Sequence, residues 1–449
     1  MTADRRDDLL VLAAVALAVA VLLVRERLIA GAAGFPLDDS WIHLHFARNL
    51  AEGAGFAYNP GVPIAGSTAP LWTLLLAAGA RVAGASLVMV KTIGVAAAAT
   101  AALLLRRAAL AWGAPPAAAL AGAIALAWSG PFAWGALSGM EVTLAALLVT
   151  ATVFAVARER FAVAALAGGL AALARPEAVV LLPFVALARR PTPRRLVLFA
   201  AIVLAVLVPF VIFCWATTGT PVPSTAAAKV EGGLLGRLVG VREPARVTWL
   251  DRPLAFGIEW LAWLVRTHPL LPLALPAIVL AWRRSRALGI VGLVLLAHPL
   301  AMAILAPYRG PGFQEGRYSI HLLPVAILML TVAAVHSRRA TLMSSIRVVY
   351  LAAALVTLAA IAYFSRRPVL DLMGLVTPEI RSYRRQGEAG VLRFIAERCP
   401  DVVIVFPTWF PELTARRDLL TPIYRVRLPR NEVSGGPEMV VYRLTRCAV

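Results

Sequence analysis

Apolar runs recur along almost the whole chain, and short loops rich in arginine separate them. They fall near residues 9–30, 69–84, 88–105, 117–135, 141–157, 161–174, 177–188, 196–216, 260–281, 287–306, 318–335 and 346–364. A bilayer's hydrocarbon core takes a helix of about 20 apolar residues, so runs of this size and number predict an all-α polytopic membrane protein. A soluble multidomain enzyme fits poorly, because 60% of the 449 residues are hydrophobic and only 15% are charged. The net charge of +20 is mostly arginine at the ends of apolar runs, where positive-inside topology puts it. No basic, aromatic-laced soluble face is left over for nucleic acid.

The opening "MTADRRDD" and Leu9–Val24 have the layout of a signal sequence. No small-residue cleavage site precedes a mature soluble domain, so the run reads as a retained first span. Counting every run as a span scatters the arginine-rich loops over both faces. If 69–84 instead lies along the interface, the loops with Arg106 and Arg107, "RER" at 158–160, "RRPTPRR" at 189–195, "RRSR" at 283–286 and "HSRR" at 336–339 all fall on the cytoplasmic side. That run is short, contains Arg81 and opens with "STAPLW", which suits an interfacial helix capped by Ser or Thr. About eleven transmembrane helices result, with the N-terminus in and the C-terminus out. Only "RER" at 25–27 and "SRR" at 365–367 run against the charge bias.

The outer face then collects the polar stretches "DDSWIHLH", "SGME", "RPE", "TGTPVPSTAAAK" and "GPGFQEGRY". Polar groups at membrane depth are costly, and a set converging on one face marks a candidate site. Read as a helix from Ser40, the first stretch puts His45, Arg48, Asn49 and Glu52 on one side and Ile42, Phe46, Ala47 and Leu50 on the other. An amphipathic interfacial helix with a wet face explains His45 and Arg48 without chemistry. A single N-cap needs only one of Asp38, Asp39 and Ser40, so at least one carboxylate is left over, and His43 is a second leftover on the apolar side. Ser138-Gly-Met-Glu141 fits a Ser-x-x-Glu capping box, which would make Glu141 structural. "ARPEA" puts Arg175 and Glu177 between two short runs, with Pro176 opening the second, and the charges there must meet water or a polar cavity. Lys229, one of two lysines in the chain, follows a Pro-x-Pro turn. Arg317 opens a late run, where it either snorkels or meets a phosphate.

Together "DDSWIHLHFARNLAEGAGFAYNPG", "GSTAPLWTLLLA", "SGMEVTLAALL", "LARPEA", "TGTPVPSTAAAK" and "GRYSIHLLP" resemble bacterial integral-membrane glycosyltransferases of the GT-C superfamily. The resemblance runs collinearly over residues 9–335 and is nearest to the branch with the mycobacterial terminal arabinofuranosyltransferases of the cell wall. It implies a bacterial inner-membrane enzyme that takes a sugar from a polyprenyl-phosphate lipid and passes it to an extracytoplasmic cell-envelope acceptor, be it glycan, lipid or protein. It also implies a first extracytoplasmic loop, residues 31–87, with a catalytic aspartate. Carried over by position, the catalytic set is Asp38, Asp39 and Glu141, with Asp38 as general base. The donor-phosphate set is Arg175, Lys229 and Arg317, and Glu177 closes the Arg-Pro-Glu element; His43, His45, Arg48 and Glu177 are candidate supporting residues. Relatives read closer to "DDAYITLRYARNLA", so His43 and His45 stand where they have threonine and arginine. Ser224-Thr225 stands where they have Asn-Thr.

Glycosyl phosphates carry a good leaving group, so transfer needs a base for the acceptor hydroxyl and cations for the departing phosphate. A divalent cation between carboxylates and phosphate is the alternative to an all-arginine and lysine site, and the residues do not choose between them. Two other function classes compete: a secondary transporter, which also uses broken helices, and a non-catalytic envelope-assembly protein. Residues 1–365 form the transmembrane domain. Residues 366–449 read as a small extracytoplasmic α/β module, from strands in "DVVIVFP" and "EMVVYRL" and a helix in "EAGVLRFIAERC". The three cysteines Cys214, Cys399 and Cys447 make no metal cluster, and an extracytoplasmic end would permit a bridge between the last two.

Overall fold

A computed structural model describes residues 3–189, 192–225, 251–305, 316–333, 370, 372, 379–427 and 438–445. The run 346–364, Lys229 and Cys447 lie outside the described residues. The chain is mostly helical, with a small sheet near its C-terminal end.

Helix α1 (Ala3–Ala30) and helix α4 (Leu87–Ala111) pack side by side and are tied at both ends by ion pairs. At one end the buried Arg106 reaches Asp4 at 2.7 Å, Asp7 at 2.9 Å and Asp8 at 3.0 Å. At the other, Lys91 Nζ donates to both Glu26 oxygens, at 2.7 and 2.6 Å. From Asp8 to Glu26 a helix rises about 27 Å, close to the hydrocarbon thickness of a bilayer. The two helices are therefore antiparallel, and everything from 31 to 86 leaves and returns at the Glu26–Lys91 end. That excursion contains α2 (Asp38–Ala51) and α3 (Pro70–Ala83).

The next elements are α5 (Pro116–Ala127), α6 (Gly130–Leu137), α7 (Val142–Ala157) and α8 (Phe161–Ala174). A 3-10 turn (Pro176–Leu181), α9 (Leu182–Ala188) and α10 (Pro193–Thr218) follow. Thr143 Oγ1 donates to the Gly94 carbonyl at 3.1 Å, which puts the start of α7 beside the start of α4. Ser224 N donates to the Ala65 carbonyl at 3.0 Å, and Ala65 N to Thr217 Oγ1 at 3.2 Å, which puts the end of α10 at that same end. Beyond lie α11 (Asp251–Thr267), α12 (Ala274–Arg284), α13 (Arg286–Gly292), α14 (Val294–Leu305), a 3-10 turn (Ile320–Leu322) and α15 (Leu323–Ala333).

Among the described residues three helices, α1, α4 and α10, are long and apolar enough to cross a membrane, and counting two bent pairs as spans gives five. The pairs break the expectation of one straight span per run. The run 260–281 turns by 116° between α11 and α12, where Pro269 and Pro272 cannot donate to a helical ladder. The run 117–135 turns by 55° between α5 and α6, next to Pro131. The apolar side chains of α10 point outward, with Val197 70% and Ile212 62% exposed, which water would penalise and lipid does not. Inside, close contact replaces bulk. A Cβ at Gly94 of α4 would collide with the Ala136 carbonyl after α6 begins, and one at Gly168 of α8 with the Leu182 side chain. Small residues at helix crossings give the van der Waals contact that holds helices together in lipid.

The C-terminal module comprises α16 (Ile380–Arg384), α17 (Glu388–Arg398), β1 (Val402–Val405), α18 (Pro411–Ala415), β2 (Leu420–Arg427) and β3 (Glu438–Leu444). Its sheet has the antiparallel order β1-β3-β2. Val403, Val405, Val440 and Tyr442 pack on Val391 and Ile395 of α17. Cys399 is disulfide-bonded and Cys214 is a free, buried thiol.

Arg106 makes the strongest of the end clasps. Arg106→Met strands Asp7 and the mostly exposed Asp4 and leaves Asp8 to Arg107, so the expected loss is about 2 kcal/mol. A lower thermal unfolding midpoint in detergent checks it, and an unchanged midpoint would remove the clasp from the fold's energetics.

Candidate functional site

The excursion 31–86 lies over the start of α7, and a tight turn fastens the two. Ser40 Oγ donates to the Ser138 carbonyl at 2.6 Å, and Trp72 Nε1 to the Gly139 carbonyl at 3.0 Å. Gly139 sits at φ +80°, and a Cβ there would meet Phe35 and Ser40. Only glycine suits both the left-handed backbone and the close approach.

Helix α2 starts at Asp38, not Ser40. Its N-cap is Leu37, with no side-chain capping bond, so neither aspartate nor Ser40 serves as the cap. Both carboxylates sit in the first turn, where the helix dipole favours negative charge. Asp39 Oδ2 accepts from Arg317 Nη1 at 2.6 Å, and Arg317 Nη2 donates to Tyr318 Oη at 3.1 Å. Asp38 is half-buried. Burial pushes its carboxyl up to about 6, the neighbouring Asp39 charge adds to the rise, and Arg317 opposes it.

A second ion pair lies deeper. Helix α8 stops at Ala174 because Pro176 cannot extend it, and Arg175 takes an extended conformation, φ −151° and ψ 114°. Its guanidinium bonds the Glu141 carboxylate, and Glu177 Oε2 lies 3.4 Å from its Nε. Glu141 is therefore not the far end of a capping box. It is the N-cap residue of α7 without a side-chain cap bond, and Ser138 Oγ accepts from Met140 N instead. The ion pair wins because a guanidinium buried without a counter-charge costs more than a missing cap. Burial alone would raise the Glu141 pKa, but Arg175 and then His43 outweigh it and hold the carboxyl at about 2. His43 Nε2 lies 3.4 Å from Glu141 Oε2, and its Nδ1 lies 3.1 Å from Ser67 Oγ, which bonds Thr73 Oγ1 at 2.9 Å. The two arginines share one ring: Tyr318 has Arg175 at 5.1 Å and Arg317 at 5.0 Å from its centroid.

The expected wet face of α2 is dry. His45, Arg48 and Asn49 are all buried. Asn49 Nδ2 donates to the Ala57 and Tyr58 carbonyls at 2.9 Å, His45 Nε2 meets the Tyr58 carbonyl at 2.7 Å, and Arg48 Nη2 meets His45 Nδ1 at 3.0 Å. The stripe faces the chain's own return loop, whose carbonyls need donors. Burial pushes His45 down to about 4; the Tyr58 carbonyl opposes the shift and Arg48 adds to it. These contacts hold the loop.

The structure thus brings Asp38, Asp39 and Arg317 together, and joins Glu141, Arg175, Glu177 and His43 to them through Tyr318. Tyr318 went unrecognised in the sequence, as did His298 and His321, although "GRYSIHLLP" carries two of the three. Among the described residues no three His, Cys, Asp or Glu side chains gather as a metal-ion site. A cavity of about 260 Å³ is lined by Phe56, Pro70, Leu74, Leu173, Val206 and Phe210 among others. It is apolar, and Leu173 stands two residues before Arg175.

These features define a helical protein with helices apolar enough to cross a membrane and a buried, charge-paired site at one end of its bundle. Residues 353–442 match a family model described as a domain of unknown function, DUF8728. No curated protein and no solved structure matches the chain.

Glu141→Gln would leave Arg175 with Glu177 as its remaining carboxylate, and the expected loss of stability is about 3 kcal/mol. Adding Arg175→Met should return part of it. Unfolding of both variants in detergent checks this, and equal losses in single and double variants would disprove the coupling. The stabilisation by Glu141 should be complete above its ordinary pKa of 4.5 and lost as pH falls through about 2.

Proposed function

We propose that the chain is a glycosyltransferase that moves a sugar from a polyprenyl-phosphate lipid to an extracytoplasmic acceptor. In this reading it has a GT-C-like architecture of about eleven spans in a bacterial inner membrane, with a cytoplasmic N-terminus and Asp38 on the outer face. The observation that carries the reading is Asp38. It is half-open, its pKa stands near 6, and its neighbour Asp39 binds a guanidinium. A general base works best when its pKa lies near the working pH.

Attack by the acceptor oxygen forms the new glycosidic bond while the bond from the sugar carbon to the phosphate oxygen breaks. The acceptor's proton passes to Asp38, and the electron pair of the broken bond goes to the phosphate. Arg175 and Arg317 stabilise that charge, and Lys229 joins them by resemblance alone. Asp39 and Glu141 hold the two guanidiniums in place, with Tyr318 between them. The apolar cavity beside Leu173 suits the lipid's first isoprene units. A transporter would keep its ion pairs at mid-span, whereas Ser40 and Trp72 of the excursion that leaves and returns at the Glu26–Lys91 end bond the Ser138 and Gly139 carbonyls just before Glu141.

Transfer should rise about tenfold per pH unit below pH 6 and level off above it, because the reactive form is the carboxylate. Asp39→Asn removes a charge that raises the Asp38 pKa and releases Arg317, which lowers it, so the acid limb should move to lower pH. Asp38→Asn should abolish transfer in folded protein, and full activity would end the assignment. Mass spectrometry of lipids from cells lacking the protein should find an accumulated polyprenyl-phosphate sugar.

A further inference from the structure

Two buried imidazoles have no part in the reaction as described. His298 stands on α14 and His321 in the Ile320–Leu322 turn; both are completely buried, with ring centroids 5.1 Å apart and ring planes at 78°. Helix α14 packs against the Pro176–Leu181 turn that follows Arg175, and the Ile320–Leu322 turn packs against α7, which follows Glu141. The Arg175 charge acts on both rings. The Tyr318 carbonyl bears on His298, yet among the described residues none of the four ring nitrogens meets hydrogen-bond geometry with any group.

A buried polar atom without a partner costs free energy, and native cores rarely keep one without use. Two touching leucines would fill the same space at no such cost. Ser319 Oγ, between Tyr318 and the turn, is also buried without a hydrogen bond among the described residues, as is Arg317 Nε. In its neutral form each imidazole offers one N–H donor and one lone pair. The lone pairs would suit a cation, but Arg175 repels one, and no third ligand joins the rings among the described residues. An anionic oxygen meets the opposite situation, with imidazole N–H groups, a serine hydroxyl and a guanidinium all able to donate.

We infer that His298 and His321 line a buried anion pocket behind Arg175 and donate hydrogen bonds to the phosphate of a lipid phosphate. The inference rests on the proposed transfer reaction and extends its phosphate contacts to two groups that carry no charge of their own. As neutral donors they bind phosphate without adding a counter-charge for Glu141 to neutralise.

The test measures equilibrium binding of undecaprenyl phosphate, undecaprenol and inorganic phosphate to the full-length protein in detergent. His298→Leu and His321→Leu should each weaken undecaprenyl phosphate about tenfold and leave undecaprenol unchanged. His298→Gln keeps an N–H donor and should retain part of the affinity, which keeps the test readable if a leucine variant fails to fold. Unaltered phosphate-lipid binding in the leucine variants, or equal weakening of both lipids, would overturn the inference. Inorganic phosphate binding as tightly as the lipid would overturn the lipid as the source of the phosphate. Wild-type protein that does not prefer undecaprenyl phosphate to undecaprenol would bring down the transfer reaction itself. If Arg175→Met loses that preference while the histidine variants keep it, only the histidine assignment falls.

Discussion

A guanidinium fixed in the interior at the end of α8 sets the terms for everything around it. Neither lipid nor a packed core tolerates the Arg175 charge alone, so the elements beside it are chosen to answer it. Glu141 comes from the start of α7, Glu177 from the turn that Pro176 forces, and the Tyr318 ring from the segment before α15. Each brings its own helix with it. The bond therefore joins three segments distant in sequence, and the turn at Gly139 fastens α2 and α3 over them.

The same geometry separates a low carboxylate from a high one within a few residues of chain contact. Glu141 faces a guanidinium directly and a histidine behind it, so attraction beats burial. Asp38 is buried enough to be penalised, stands beside a second carboxylate, and leaves the nearest guanidinium to Asp39. Burial opposes ionisation at both sites; the partner decides the outcome. A fold that sought stability alone would give Arg317 to whichever aspartate needed it more. The bundle instead keeps one carboxylate poised near neutrality, which is the property the proposed reaction requires.

What the sequence makes legible is what depends on one helix at a time. The spacing of apolar runs shows the helices, and the arginine loops show that 31–86 is an excursion, as the paired ends of α1 and α4 also require. Pro176 marks the break at Arg175. Pairing across the chain is less legible. Ser138-x-x-Glu141 has the spacing of a capping box, and nothing local says that an arginine 34 residues on claims the carboxylate. The polar stripe of α2 shows that a face is polar, but periodicity cannot tell water from the carbonyls of a returning loop. Strand β2 is invisible for a related reason. At the sheet edge, with most of its residues exposed, it lacks the apolar run that reveals β1 and β3.

Helix α2 resolves the excess polarity that follows the first apolar run. Its second half spends His45, Arg48 and Asn49 on the loop carbonyls at 57 and 58, and so fixes the helix against its own return. Nearer its start, Ser40 and His43 are spent on the Gly139 turn and on Glu141. With both of these contacts made, the first turn has no freedom to rotate its carboxylates away from Arg317. These contacts are thus the reason Asp38 and Asp39 can be held in place at an otherwise uncapped helix end.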